Sequence, residues 1–136
     1  MNQIRLPLDE SINQITSKVI ECCFLVSNNL GCGFLEKVYE NALAFELRKT
    51  GLCVEQQFEI PVYYSGVLVG EFVADLLIEK KVIVELKTVK LLSDAHSAQC
   101  LNYLAATGLP ICLLVNFYRP RVEIKRIAGR TVEFVQ

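Results

Sequence analysis

The 136-residue sequence lacks any tract rich in proline, glycine or serine and any single-residue run. Such tracts are typical of linkers and disordered segments, so their absence predicts one folded domain over residues 1–136. No uninterrupted apolar stretch approaches the ~18 residues of a membrane span, and the N-terminal residues lack the apolar core of a signal peptide. We therefore expect a cytoplasmic protein with no membrane partner.

The cysteine spacing of a zinc site is also missing. None of the six cysteines forms a C-x2-C pair, and Cys22 and Cys23 are adjacent. Most of the six lie among apolar residues, where a reduced cysteine packs as a small hydrophobic side chain. We predict buried free thiols in place of a disulfide framework or a zinc site.

A strong net charge is missing as well, since 14 basic and 15 acidic residues give a formal charge of -1. This balance argues against a broadly basic nucleic-acid-binding surface, although basic residues are concentrated in the second half of the chain. The sequence contains neither a G-x4-G-K-[ST] phosphate loop nor a G-x-G-x-x-G motif after a strand. Hydrolysis or transfer on free nucleotides is therefore the weakest hypothesis for its function.

The hydrophobic pattern predicts the element order α-α-β-β-β-α-β-β with a short strand at the end, which is typical of an α/β or α+β domain with one principal sheet. The predicted helices cover residues 8–29, 34–51 and 93–107. The predicted strands cover residues 54–64, 67–78, 82–89, 111–117, 121–127 and 131–135. In the second helix we expect an apolar face formed by Leu35, Val38, Ala42, Phe45 and Leu47.

Two neighbouring strands carry charged residues inside apolar runs, in the stretch FVADLLIEKKVIVELK. If residues 79–81 form a three-residue hairpin loop, Ile78 pairs with Val82, and Asp75 then lies opposite Glu85. Opposed carboxylates are destabilising unless a positive group lies between them, and hard cations such as Mg2+ prefer carboxylate oxygens. A metal site for phosphodiester hydrolysis is one interpretation, and a structural ion-pair ladder on a surface hairpin is the other.

Strand alternation places further residues around this pair. Lys87 shares a strand face with Glu85, and in a metal site its ammonium group can orient the nucleophile or stabilise the transition state. On the strand of Asp75, alternation predicts that the opposite face is formed by Phe72, Ala74, Leu76 and Ile78.

The spacing D75-x9-E85-x-K87, on a strand hairpin flanked by helices, resembles the signature of the PD-(D/E)xK nuclease superfamily. The upstream stretch G33-F-L-E36-K-V-Y39 is similar to the motif that names the GxxExxY protein family, a branch of that superfamily. The resemblance covers the chain from about Ile12 to Ile127. It implies an α/β fold with a restriction-endonuclease-like core, a central mixed sheet flanked by helices in the order αβββαβ. Ala74 stands where the superfamily signature has proline.

The resemblance implies catalytic roles for four residues: Glu36, Asp75, Glu85 and Lys87. The three carboxylates correspond to ligands of a divalent metal, Mg2+ or Mn2+, and the lysine corresponds to the catalytic lysine. From the residues alone, Glu36 is an ordinary solvated residue of an amphipathic helix, so its role depends on the resemblance.

Four further residues are candidates for positioning the substrate. Gln99 and Tyr103 reproduce a Q-x3-Y pattern that positions substrate or metal in related nuclease domains. They are i,i+4 neighbours on the third helix, and the lone histidine, His96, lies on the same stripe. Tyr39 shares a helix face with Glu36. For His96, capping of the helix start or simple surface exposure is the other interpretation.

The sequence thus predicts a metal-dependent nuclease that acts on DNA in preference to RNA. The alternative is a catalytically inactive nuclease-fold module that binds a ligand or assembles with a partner. The chain is 52% hydrophobic with a mean hydropathy of +0.35, which predicts a homo-oligomer or a partner protein that buries extra surface.

Overall fold

The computed structural model describes residues 10–129 and 131–135. Its helices are α1 (Glu10–Leu30), α2 (Glu36–Lys49) and α3 (Asp94–Thr107). Its strands are β1 (Val54–Tyr64), β2 (Val67–Ile78), β3 (Val82–Lys87), β4 (Ile111–Asn116), β5 (Glu123–Ala128) and β6 (Thr131–Phe134). The predicted element order is confirmed, although β3 ends two residues earlier than predicted, and the first two residues predicted for α1 lie outside the described part. None of the described helices is long and apolar enough to cross a membrane.

The local sequence explains where α3 begins and ends. The backbone N–H of Ser93 donates to Nδ1 of His96 at 3.0 Å, which caps the start of the helix. At the other end, Gly108 has a φ of 73°, and its N–H donates to the Leu104 carbonyl at 2.8 Å. Glycine is favoured at this position because a side chain would be strained in the left-handed region. The predicted extent of α3 is confirmed.

The strands form one six-stranded mixed sheet in the order β1-β2-β3-β4-β5-β6. Neighbouring strands are antiparallel except β3 and β4, which are parallel and are connected through α3. Ile78 pairs with Val82, so the predicted hairpin register is confirmed. The β2–β3 ladder ends at the pair Leu76 and Val84, and from this point the two strands separate.

Helices cover both faces of the sheet. α1 and α2 lie over one face. The buried residues between these helices and the sheet form what we call the α1–α2 core, which includes Val19, Leu43, Val84, Leu113 and Ile124. α3 lies over the other face, and the residues beneath it form the α3 core, which includes Ile83, Cys100, Tyr103, Leu114 and Ile127. A mixed sheet flanked by helices is the fold class that the sequence predicts.

The predicted apolar face of α2 is correct at Leu47 and in part at Ala42, which is partly buried against the α1–α2 core, and it is wrong at Leu35, Val38 and Phe45. Leu35 is 81% exposed and Phe45 is 60% exposed. The residues that α2 buries are Tyr39, Glu40, Leu43, Ala44 and Leu47. The apolar residues of this face also recur at helical spacing, at positions 39, 43, 44 and 47. The glutamate among them is buried with Lys37, Gln56 and Gln57 as donors to its carboxylate.

Strict alternation fails in β2. Leu76 and Ile78 belong to the α1–α2 core, but Ala74 belongs to the α3 core, and Phe72 packs against that same core. The strand therefore changes faces around Asp75. Beyond this point β2 is paired with β1 alone, and a two-stranded ribbon twists more strongly than a strand inside a sheet.

All six cysteines are free thiols. The prediction that they are buried is correct for four of them, Cys22, Cys23, Cys100 and Cys112. It is wrong for Cys32 and Cys53, which are exposed because they lie in the connections on either side of α2.

Candidate metal centre

Asp75 and Glu85 lie where β2 and β3 separate, and each carboxylate binds the backbone of the other strand. The Asp75 N–H donates to Glu85 Oε1 at 3.1 Å, and the Leu86 N–H donates to Asp75 Oδ2 at 2.8 Å. The two acidic residues are neighbours, as the register predicts. They are joined by these bonds between side chain and backbone, because the backbone ladder of β2 and β3 ends one residue earlier, at Leu76 and Val84.

Glu85 is buried, with 4% of its surface exposed, and its second carboxylate oxygen also has partners. The Tyr103 hydroxyl lies 3.1 Å from Oε2 and can donate to it or to the Val73 carbonyl at 3.2 Å. The Lys87 ammonium lies 3.6 Å from the same Oε2 atom. A buried carboxylate requires such partners because its desolvation is costly.

The environment of the pair disfavours ionisation of both carboxyl groups. Burial, followed by the charge of Asp75, raises the pKa of Glu85 to about 7, while the Lys87 charge acts in the opposite direction. Burial also raises the pKa of Asp75, against the lowering effect of its hydrogen bond from the Leu86 N–H. Two adjacent carboxylates in a buried site are best stabilised together by a cation.

Glu36, the first residue of α2, lies within electrostatic range of this pair. Burial raises its pKa, the charge of Asp75 raises it further, and the charge of Lys87 lowers it. Among the residues that the structure describes, no group of three or more His, Cys, Asp or Glu side chains is arranged to hold a metal ion. Glu36 is therefore a neighbour of the carboxylate pair and not a member of a compact three-ligand cluster.

The residues present fit a hard divalent cation. Asp75 and Glu85 supply carboxylate oxygens, which Mg2+ and Mn2+ prefer, and their mutual repulsion is the kind that a cation offsets. Mg2+ is commonly held by only one or two carboxylates, with water and substrate phosphate as its remaining ligands. Two protein ligands are thus sufficient for this chemistry.

Sequence reasoning missed two residues that surround Asp75. Glu40 in α2 is 2% exposed, and Gln57 in β1 has a φ of 54°, in the left-handed region. Nε2 of Gln57 lies 2.6 Å from Glu40 Oε1 and 3.4 Å from Asp75 Oδ1. The spacing of Glu36 and Glu40 by one helical turn could have indicated the glutamate, whereas no sequence signal indicates the glutamine.

The predicted positioning residues of α3 lie on the helix that covers the Glu85 face of the sheet, but their environments differ. Tyr103 contacts Glu85 directly. Gln99, one turn earlier, is half-buried. His96 is occupied by its capping bond, and burial together with the charges of Lys87 and Lys125 lowers its pKa. The capping interpretation of His96 is therefore the one that matches its observed contact.

Tyr39 supports the loop before α2. Its ring is buried and stacks on Phe117, with the two centroids 4.6 Å apart. Its hydroxyl donates to the Gly31 carbonyl at 2.7 Å and accepts from the Phe34 N–H at 3.3 Å. These contacts fix the loop that carries the start of α2, where Glu36 lies.

Residues at the end of β4 bind the backbone at and after Lys87. The Phe117 N–H donates to the Lys87 carbonyl at 2.9 Å. Asn116 is buried, and its side chain binds both the N–H and the carbonyl of Val89, at 3.1 Å and 2.8 Å. These bonds hold the backbone at the lysine and two residues after it, and the sequence analysis did not identify Asn116.

Comparison with known proteins agrees with this geometry. Residues 13–127 match the family model of the PD-(D/E)XK nuclease superfamily, and the chain belongs to this superfamily. Its mixed sheet with flanking helices is consistent with a restriction-endonuclease-like fold, so the predicted superfamily and fold class are confirmed. The superfamily generally uses divalent metals and acts on nucleic acid, whereas the GxxExxY branch stays a prediction. No curated protein and no solved structure gives a significant match.

Proposed function

We propose that the protein is a metal-dependent nuclease that hydrolyses phosphodiester bonds of DNA in preference to RNA. One observation carries this proposal: two carboxylates bind each other's strand where β2 and β3 separate, with the Lys87 ammonium 3.6 Å from Glu85 Oε2. Membership of the superfamily supports the same class of reaction. The proposal places the chain in the GxxExxY branch, on the basis of Gly33, Glu36 and Tyr39.

In this proposal Asp75 and Glu85 hold Mg2+ or Mn2+ directly, and Glu36, their neighbour at the start of α2, joins them as a ligand only when a bound metal draws its carboxylate toward the pair. The bound metal lowers the pKa of a water molecule and offsets charge on the scissile phosphate. Lys87, paired with Glu85, orients the nucleophile or stabilises the negative charge of the transition state. Tyr103 keeps Glu85 Oε2 in place through its hydroxyl group.

Substrate positioning is proposed for residues on both helices beside the site. Gln99 and Tyr103 act from α3, whereas His96 caps the start of that helix. Tyr39 acts indirectly, because it holds the loop that precedes Glu36.

The test is a calorimetric titration of Mn2+ into the wild type, Asp75→Ala and Glu85→Ala. We expect saturable binding in the wild type and its loss in both variants. Glu71→Ala is the matched control, because it removes an exposed carboxylate from the same strand as Asp75, and it should bind like the wild type. Hydrolysis is then measured on branched, single-stranded and duplex DNA and on RNA. Mn2+ binding that is equal in all four proteins would contradict the proposal.

An inactive module that assembles with other copies or with a partner is the second candidate. It is favoured by apolar residues exposed around the β1–β2 turn, where Tyr63 is 65%, Tyr64 is 73% and Val67 is 61% exposed. We propose a homo-oligomer under either function, since exposed apolar surface of this kind is typical of interfaces. Light scattering measures the oligomeric state, and metal binding without hydrolysis of any nucleic acid would favour the inactive module.

A further inference from the structure

The residue opposite Asp75 in the sheet has an unusual backbone conformation. Gln57 has a φ of 54°, a left-handed value that is uncommon for residues other than glycine. Val54 packs against the α1–α2 core and Phe58 packs against the α3 core, although residues four apart on a regular strand share a face. β1 therefore changes faces at Gln57, directly across from the point where β2 changes faces at Asp75.

The side chain of Gln57 lies between two carboxylates. Its Nε2 atom lies 2.6 Å from Glu40 Oε1 and 3.4 Å from Asp75 Oδ1. An amide nitrogen carries two N–H groups, so one nitrogen can donate to both carboxylates. Because both neighbours are acceptors, the nitrogen and not the oxygen of this amide has to face them.

Glu40 fixes the orientation of this amide. It is 2% exposed, and its Oε2 atom accepts from Lys37 Nζ at 3.1 Å and from Gln56 Nε2 at 2.7 Å. With Gln57 on Oε1, three donors hold the carboxylate in place. A chain of contacts therefore runs from the surface lysine through Glu40 and Gln57 to Asp75.

We propose that Gln57 is a positioning residue for Asp75, whose left-handed backbone and Glu40-anchored amide together set the orientation of the Asp75 carboxylate for metal binding. The inference rests on the proposed metal site. Ligating carboxylates depend on hydrogen bonds from their neighbours, and loss of such a neighbour typically weakens metal affinity by about 10- to 100-fold.

The experiment is a calorimetric titration of Mn2+ into the wild type, Gln57→Gly and Gln14→Ala. Glycine adopts the left-handed conformation without strain, so Gln57→Gly removes the amide and keeps the shape of the strand. We expect Mn2+ to bind this variant about 10- to 100-fold more weakly. Gln14→Ala is the matched control, since it removes an exposed amide from α1, away from the contacts of Glu40 and Asp75, and its affinity should stay within about threefold of wild type.

The thermal midpoint without metal shows whether the variants fold. If Gln57→Gly is unfolded, Glu40→Gln is the second variant, because it keeps the size of the side chain and removes the anionic acceptor that orients Gln57. Weakened Mn2+ binding in a folded variant supports the inference. Wild-type affinity in Gln57→Gly, or in Glu40→Gln if that variant is used, overturns it and leaves the metal site intact. Absence of binding in the wild type overturns the proposed metal site and this inference together.

Discussion

The two faces of the sheet are built from the same strands but bury different chemistry, and β3 shows the contrast within six residues. Its side chains toward α1 and α2 are all aliphatic and fully buried, namely Val82, Val84 and Leu86. Toward α3, Ile83 is followed by Glu85 and Lys87 along the same strand face. One face of the strand packs a core, and the other carries an ion pair between the buried Glu85 and the partly exposed Lys87.

This difference implies a division between stability and chemistry. Burial of aliphatic surface contributes about 25 cal/mol per Å2, whereas a buried carboxylate pair without a cation is destabilising. The α1–α2 core is therefore expected to offset the cost of the charges on the other face. Substitutions in the α1–α2 core should consequently change the free energy of unfolding alone, whereas substitutions on the α3 side should also change metal binding or hydrolysis.

The largest expected effect on folding is that of Leu113→Ala in the α1–α2 core. Leu113 is fully buried, and truncation of such a leucine typically lowers the free energy of unfolding by about 2–5 kcal/mol. Denaturant unfolding measures this loss, and the folded variant should bind Mn2+ like the wild type. The matched variant is Leu114→Ala, equally buried but on the α3 side and paired with Glu85. Leu114→Ala should lose stability and also bind Mn2+ more weakly. Identical Mn2+ affinity in the two variants would contradict the prediction that only the α3 side of the sheet supports the metal site.

The second prediction concerns Lys87→Met, which removes the ammonium group and keeps an unbranched side chain. Loss of one group that stabilises transition-state charge lowers kcat by about 100- to 1000-fold, or roughly 3–4 kcal/mol in the barrier. Mn2+ binding should persist, because the carboxylate ligands remain. Lys90→Met, which removes an exposed lysine three residues further on, is the control and should keep wild-type activity. A Lys87→Met protein as active as this control would show that the lysine is only a structural partner of Glu85.

The third prediction concerns the pH dependence of stability in the metal-free protein. The pKa of Glu85 is raised from 4.5 to about 7 in the folded state, so the folded protein binds the proton more tightly than the unfolded chain. This contribution to stability is present below pH 4.5 and is lost as the pH rises through about 7. Glu85→Gln removes the ionisation and should be more stable than the wild type at pH 8 by about 1–3 kcal/mol.

Thermal unfolding of both metal-free proteins between pH 5 and pH 8 checks this difference, which should shrink toward the acidic end. Added Mn2+ should reverse the order at high pH, because it binds only the wild-type carboxylate pair and stabilises the folded state. A difference that does not change with pH would contradict the assignment of the effect to Glu85.

The sequence predicted the parts of this contrast that depend on local spacing. The Ser65-Gly66 turn and the three-residue loop after Ile78 fixed the bounds of β1 and β2 and the register of the β2–β3 hairpin, which brought Asp75 beside Glu85. Lys87 followed from alternation along β3. Gly108 stopped α3 at the predicted position.

The parts that depend on distant contacts could not be predicted in this way. Glu40 is buried because Gln56 and Gln57, more than 15 residues later in the chain, donate to it. Gln57 has a left-handed conformation and β2 changes faces at Asp75 close to the point where β2 separates from β3. The position of that separation cannot be deduced from the identity of either residue. The hydrogen bonds that join the two carboxylates to opposite strands arise from that same separation.

The smallest expected effect separates two roles of His96 at the start of α3. Its Nδ1 atom accepts from the Ser93 N–H, and its lowered pKa keeps the ring neutral and able to accept at neutral pH. His96→Gln retains a capping acceptor at this position, so stability should stay within about 0.5 kcal/mol of wild type, whereas His96→Ala should lose about 0.5–1 kcal/mol. We expect the glutamine variant to hydrolyse nucleic acid at the wild-type rate. A large loss of hydrolysis in a variant that melts like the wild type would instead show that the imidazole acts on the substrate, because capping alone does not require a ring.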